Sequence, residues 1–213
     1  MVKKIVKGII VSAAIVVLPI LGNTKMFSSP QLWILFTIGF LSSILQPNYN
    51  IIKDKSKTID KGTEIQIIWS VYITQLFVVV EAAYLRFPYS VKWDTFTTVS
   101  LAIIILGLML RTWAIYTLGN YFTMHLSIQN EHKIIRSGPY KYMRHPSYLG
   151  AFFIYFGTTI FLHAWFSLIV AVILLPVAWL RRIHYEEKLL IEKFGGEYKS
   201  YCKSVKRIIP GVW

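Results

Sequence analysis

The sequence predicts an all-α, polytopic membrane helical bundle of five to six spans, including a carboxy-terminal helical hairpin. Three observations carry that expectation: long apolar blocks, few charges, and a charge excess of one sign. Of the 213 residues 55% are hydrophobic and 15% charged, with a mean hydropathy of +0.52. Soluble domains carry about a quarter charged residues, so an ordinary globule and a disordered chain are both excluded. The formal net charge is +13, and the single cysteine, Cys202, excludes an internal disulfide framework or a multi-cysteine zinc site.

Four apolar blocks come first, at 5–21, 32–45, 65–85 and 96–118. A helix needs about 20 residues to cross a hydrocarbon core of roughly 30 Å. The third and fourth blocks reach that length, the first nearly does, and the second needs its flanks. The first block opens on Lys3, Lys4 and Lys7 but no small-x-small cleavage site follows it, so it reads as a retained helix. The last apolar region, 148–180, is too long for one crossing and short for two. With His163 and Ala164 near its middle, it predicts a tight hairpin of short or tilted helices. From Arg181 onward an amphipathic helix is expected up to Gly195-Gly196, then a short stretch closing at Pro210.

Charge orients these elements. The amino-terminal end, the 48–64 loop, the 119–147 loop and the tail hold three, four, four and eight Lys/Arg, 19 of the 23 in the chain. Cytoplasmic loops are the basic ones, so six crossings with both termini and the functional face in the cytoplasm satisfy the count. The basic excess is then mostly topology, with some attraction to anionic lipid, and nucleic acid is not an expected partner.

Two polar segments exceed what topology needs, 119–148 and 181–187, and the hairpin between them brings both to one membrane face. Pro139 and Pro146 deny helix to the residues before them, while Gly138 frees a turn. The loop so shaped, with Tyr140, His145 and Tyr148, suits a polar aromatic ligand such as an adenosine; an interfacial turn with tyrosine anchors explains it equally well. Arg182 and Glu186 share a helix face at i,i+4. A surface pair of that kind contributes only about 0.3–0.5 kcal/mol. Charges running straight out of an apolar helix are costly unless paired or used, which favours function for these two over Glu187, which points elsewhere. Arg111, within the fourth block, reads as a brace for the polar segments. The five histidines make no metal set: there is no His-Glu-x-x-His, and neither a phosphate loop nor a Gly-x-Ser-x-Gly elbow is present.

In order along the chain stand Gly107-x-x-Leu-Arg111, Gly119 with Phe122, Gln129-Asn-Glu, and Ser137-Gly-Pro-Tyr140. Arg144-His-Pro-Ser-Tyr148-x-Gly150, Arg182-x-x-x-Glu186-Glu187, Phe194-Gly, Tyr198-x-x-Tyr201 and Pro210 follow. Over 107–210 this order resembles the isoprenylcysteine carboxyl methyltransferase family, integral membrane enzymes that use S-adenosylmethionine. The resemblance implies cofactor contacts from Gln129, His132, Ile134, Ile135, Tyr140, His145, Pro146, Tyr148 and Glu186, with Arg182 meeting the acceptor and supporting catalysis. Between Glu131 and His132 a few residues of the eukaryotic members are missing. The implied division is 1–95 as amino-terminal helices on the acceptor side and 96–213 as the methyltransferase core.

The implied partners are a lipophilic small-molecule or lipidated acceptor and membrane lipid. The acceptor group expected is a carboxylate such as a prenylcysteine α-carboxyl. Alternatives are another lipid, a phospholipid amine or a phenolic or pyrone natural product, which would need His132, His145 or Tyr140 as base. An NADPH-dependent sterol-type reductase shares an Arg-His-Pro-x-Tyr-like segment, but the Glu186-Glu187 pair after Arg182 favours the methyltransferase.

Overall fold

The computed structural model describes residues 2–45, 62–122, 133–209 and 211. Its helices are α1 (Val2–Ser12), α2 (Pro30–Leu45), α3 (Thr63–Val80), α4 (Thr95–Leu118), α5 (Pro146–Phe161), α6 (Trp165–Phe194) and α7 (Gly196–Ser204). No strand occurs among the described residues, where one isolated parallel bridge pairs Met143 with Lys206. Wider π-type turns extend α1 over Ala13–Val17 and α3 over Glu81–Leu85. Three helical stretches are long and apolar enough to cross a membrane, Thr63–Leu85, Thr95–Tyr121 and Trp165–Phe194, and Pro30–Leu45 is a shorter apolar helix. The chain is an integral membrane helical bundle. Its apolar outer positions, among them Trp69, Phe77, Ile105, Leu106, Ile169 and Ile173, face outward where lipid lies.

α4 and α5 pack almost backbone to backbone, because glycine occupies the crossing. A Cβ on Gly150 would stand 2.7 Å from the Arg111 nitrogen and the Gly107 carbonyl oxygen, and one on Gly157 would stand 2.5 Å from Ile104. Small residues at such crossings let dispersion and close contact hold helices where lipid removes the hydrophobic drive. Gly150→Ala pushes against backbone and the Arg111 Cβ, none of which can swing aside, so it is expected to cost about 2–3 kcal/mol. That loss should read as a lower unfolding midpoint in detergent, whereas Gly196→Ala, with nothing within 4 Å, should leave the midpoint unchanged.

The hairpin turns over only Leu162–Ala164. His163 adopts a left-handed φ of 50°, and its Nε2 lies 3.0 Å from Asp94 Oδ2. Asp94 also caps α4 by accepting from the Thr97 N–H at 3.0 Å; that bond and the His163 contact hold its carboxyl below the usual range. Buried Glu81 accepts from the Phe166 and Ser167 N–H groups at 3.1 and 2.7 Å and from the Ser167 hydroxyl at 2.7 Å. These are orphan donors of the first turn of α6, where a carboxylate is favoured. The turn is thereby tied to the ends of α3 and α4.

The helix starting at Trp165 does not stop where charge begins at Arg181 but runs unbroken to Phe194, with Pro176 inside it. It ends at Gly195, whose φ of 54° suits a residue without a side chain, and the chain turns into α7. The amphipathic tail and the apolar hairpin arm are one rod, which carries Arg182, Glu186 and Glu187 away from the apolar bundle.

Candidate active site

At the end of the bundle opposite the 162–164 turn, the segment 133–145 is clamped by the tail. The Arg144 and His145 N–H groups donate to the carbonyls of Lys206 and Arg207, each at 2.9 Å. The Tyr201 hydroxyl donates to the Tyr140 carbonyl at 2.6 Å. Arg136 meets Glu197 at 3.2 Å and lies over the Tyr201 ring. Pro146 starts α5, where its missing N–H costs nothing, and the Arg111 guanidinium donates to the Ser147 carbonyl at 2.9 Å. Arg111 is therefore the brace the sequence reading expected.

Glu187 is the hub beneath this clamp. Its Oε1 accepts from Arg144 Nη2 at 2.7 Å and stands 3.2 Å from His145 Nε2, while its Oε2 accepts from Arg207 Nε and Nη2, both at 2.9 Å. Arg144 also donates to the carbonyls of Cys202 and Val205. Glu186, one residue earlier, accepts from the Tyr148 hydroxyl at 2.9 Å and lies 4.0 Å from His145 Nδ1. His145 thus stands between two carboxylates, its ring edge-on to Tyr148. Arg182 is buried, with Nη1 donating to Thr63 Oγ1 at 3.2 Å.

A cavity of about 470 Å³ unites these groups. Ile134, Ile135, Tyr140, His145, Tyr148, Arg182 and Glu186 all line it, together with Tyr198 and Tyr201 from the tail. Pro146 is buried and does not line it. Gln129 and His132 lie outside the described residues. From this polar end the cavity runs on between α1, α2, α3 and α5 past Ile38, Ile67, Val71, Val79 and Ile154.

Burial pushes the Tyr140 and Tyr198 phenols well above their ordinary value, with nearby carboxylate charge adding to it, and raises Tyr201 to about 12. All three are hydroxyl donors at neutral pH. The polar end thus offers a guanidinium, a carboxylate, aromatic faces and hydroxyl donors, but no metal cluster among the described residues. Glu64 lines the cavity from the amino-terminal half and Thr63 beside it holds Arg182; no motif pointed to either.

Fold and site together define an integral membrane protein with a polar pocket that continues into an apolar one. Comparison with known proteins narrows this. The model of the isoprenylcysteine carboxyl methyltransferase family matches residues 100–192. The protein-S-isoprenylcysteine O-methyltransferase of Saccharomyces cerevisiae is 36% identical over 128 residues, covering 59% of this chain and 54% of that protein. A probable protein-S-isoprenylcysteine O-methyltransferase of Oryza sativa subsp. indica is 33% identical over 130 residues, 60% of this chain and 68% of that protein. In fold, the eukaryotic intramembrane Ras methyltransferase superposes with a TM-score of 0.63 at 23% identity, over 94% of this chain and 74% of that one. The chain belongs to the isoprenylcysteine carboxyl methyltransferase family. It spans about half the length of the yeast relative and about two thirds of the rice one.

Proposed function

We propose that the protein transfers a methyl group from S-adenosylmethionine to the carboxylate of a lipophilic acceptor of the prenylcysteine type. The observation that carries this reading is the single cavity that joins a buried guanidinium and carboxylate to an apolar tunnel. Its polar end fits the donor: Glu186 suits an ammonium or ribose hydroxyl, Tyr140 and Tyr148 offer aromatic faces, and Ile134 and Ile135 flank them. When bound, the donor supplies a methyl group already activated on a sulfonium sulfur.

The residues then need only hold and align. An α-carboxyl group with a pKa of about 3.5 is ionised at neutral pH and needs no base. Arg182 presents a planar fork that orients a carboxylate through two parallel hydrogen bonds. Glu187 fixes His145 and Arg144, and through them the loop over the donor. Helices α1, α2 and α3 of 1–95, completed by α5, wall the acceptor, and the rest of 96–213 forms the donor side. On the distribution of Lys and Arg, the polar end faces the cytoplasm.

Purified protein in detergent is expected to bind S-adenosylmethionine and not NADPH in a thermal-shift assay. With labelled donor and N-acetyl-S-farnesylcysteine, label should appear in a base-labile ester. Stabilisation by NADPH alone would overturn the reading, and label confined to base-stable lipid would move it to an amine or phenol acceptor.

A further inference from the structure

The cavity wall also carries side chains that a plain hydrocarbon has no use for. Ser12, Ser42, Gln75 and Thr158 line it among apolar neighbours such as Val71, Val79 and Ile154. The hydroxyls of Ser12 and Ser42 and the Nε2 of Gln75 are buried and without a hydrogen-bond partner among the described residues. Other hydroxyls of the bundle bond the preceding turn, as Thr37 does to the Trp33 carbonyl and Thr117 to that of Trp113, both at 2.8 Å, although the buried hydroxyl of Thr74, outside the cavity lining, has no partner among the described residues either. Ser12 and Ser42 lack that arrangement.

Gln75 and Thr158 form a pair across α3 and α5. The Thr158 Oγ lies 3.1 Å from Gln75 Oε1 and 2.8 Å from the Tyr155 carbonyl, and its single proton serves one of them at a time. With the amide turned the other way, Nε2 donates to Thr158 and Oε1 is left open instead. In both orientations one end of the amide lacks a partner. Leaving such a group unpaired in a low-dielectric interior is costly, and intramembrane polar groups normally mark a ligand path.

We infer that the acceptor's tail is itself oxygenated, with a hydroxyl group that meets Gln75 and Thr158 toward the far end of the cavity. The inference rests on the reading that Arg182 holds the acceptor carboxylate. At about 1.5 Å per residue, the twelve positions from Thr63, bonded to Arg182, to Gln75 span about 18 Å, the reach of roughly fifteen bonds of an extended chain. The eleven positions from Ser147 to Thr158 on α5 give a similar span of about 16 Å. A farnesylated cysteine reaches about that far from its carboxyl carbon to its tail end. A hydroxyl there both donates and accepts, so it pairs with whichever end of the amide is open.

Two probes test this on the full-length protein with S-adenosylmethionine: N-acetyl-S-farnesylcysteine, and the same molecule with a hydroxyl on the terminal carbon of its farnesyl chain. Wild type is expected to favour the hydroxylated probe by about tenfold in kcat/KM. Gln75→Leu should lower kcat/KM for that probe and raise it for the plain one. Thr158→Val should move both values the same way to a smaller degree, and carries the comparison if Gln75→Leu fails to fold. Equal use of the two probes by wild type, or a preference unchanged in both variants, overturns the inference and leaves the carboxylate reading standing. That is the result expected if water alone fills the pair's open valence. Turnover of neither probe by wild type overturns the prenylcysteine reading, and the oxygenated tail with it.

Discussion

Arg182→Ala is expected to cut methyl transfer about a hundred- to a thousandfold while donor affinity stays within a few fold. The guanidinium is buried beside Thr63 and lines the cavity where its polar and apolar parts meet. Truncating one partner of a buried, hydrogen-bonded charge pair costs about 3–4 kcal/mol, and each 1.4 kcal/mol is about tenfold in rate. Arg182→Lys keeps the charge and loses the fork, so a smaller loss, roughly tenfold, is expected for it. Donor binding by calorimetry and turnover of N-acetyl-S-farnesylcysteine separate the two effects. Normal turnover by Arg182→Ala would remove the acceptor role, and loss of donor binding with unchanged acceptor KM would move Arg182 to the donor.

Glu187→Gln should be the most destabilising single change at this end of the molecule. The carboxylate neutralises a group of cations that includes Arg144 and Arg207 and holds His145; its own side chain and that of Arg144 are each 7% exposed. Breaking a buried pair costs about 3–5 kcal/mol because the remaining charge stays buried without compensation. The expected result is a lower unfolding midpoint together with faster proteolysis within 195–209, where the tail's carbonyls hold Arg144 and His145. Arg207→Ala is the contrasting case. That side chain is 41% exposed, so its loss should cost about 1 kcal/mol or less. An unchanged midpoint in Glu187→Gln would show that the backbone bonds alone hold the clamp.

The contrast between Glu186 and Glu187 marks what the sequence made legible. Helical spacing put Arg182 and Glu186 on one face, and both do line the cavity. The same spacing turned Glu187 to another face. Periodicity describes one helix and is silent about what folds over its other face, and here the segment after α7 covers it. The clustering of basic residues in the tail was read as topology, yet Arg207 serves as a ligand of Glu187. The hairpin was readable because apolar length and a polar break are local. Its second arm running straight on into the charged tail was readable as well, since a helix backbone is indifferent to the switch from apolar to charged composition. Thr63, just before the third apolar block, and Gln75, within it, gave no signal, being ordinary polar residues whose partners lie 119 and 83 positions away.

The continuity of the cavity has a kinetic consequence. One substrate arrives dissolved in water and is counted per unit volume; the other arrives through the bilayer and is counted per unit area of membrane. On the proposed reading, the apparent KM for the lipid acceptor depends on how much detergent or phospholipid shares the assay. Adding inert lipid at fixed acceptor should slow turnover by surface dilution, while the KM for the water-borne donor stays where it was.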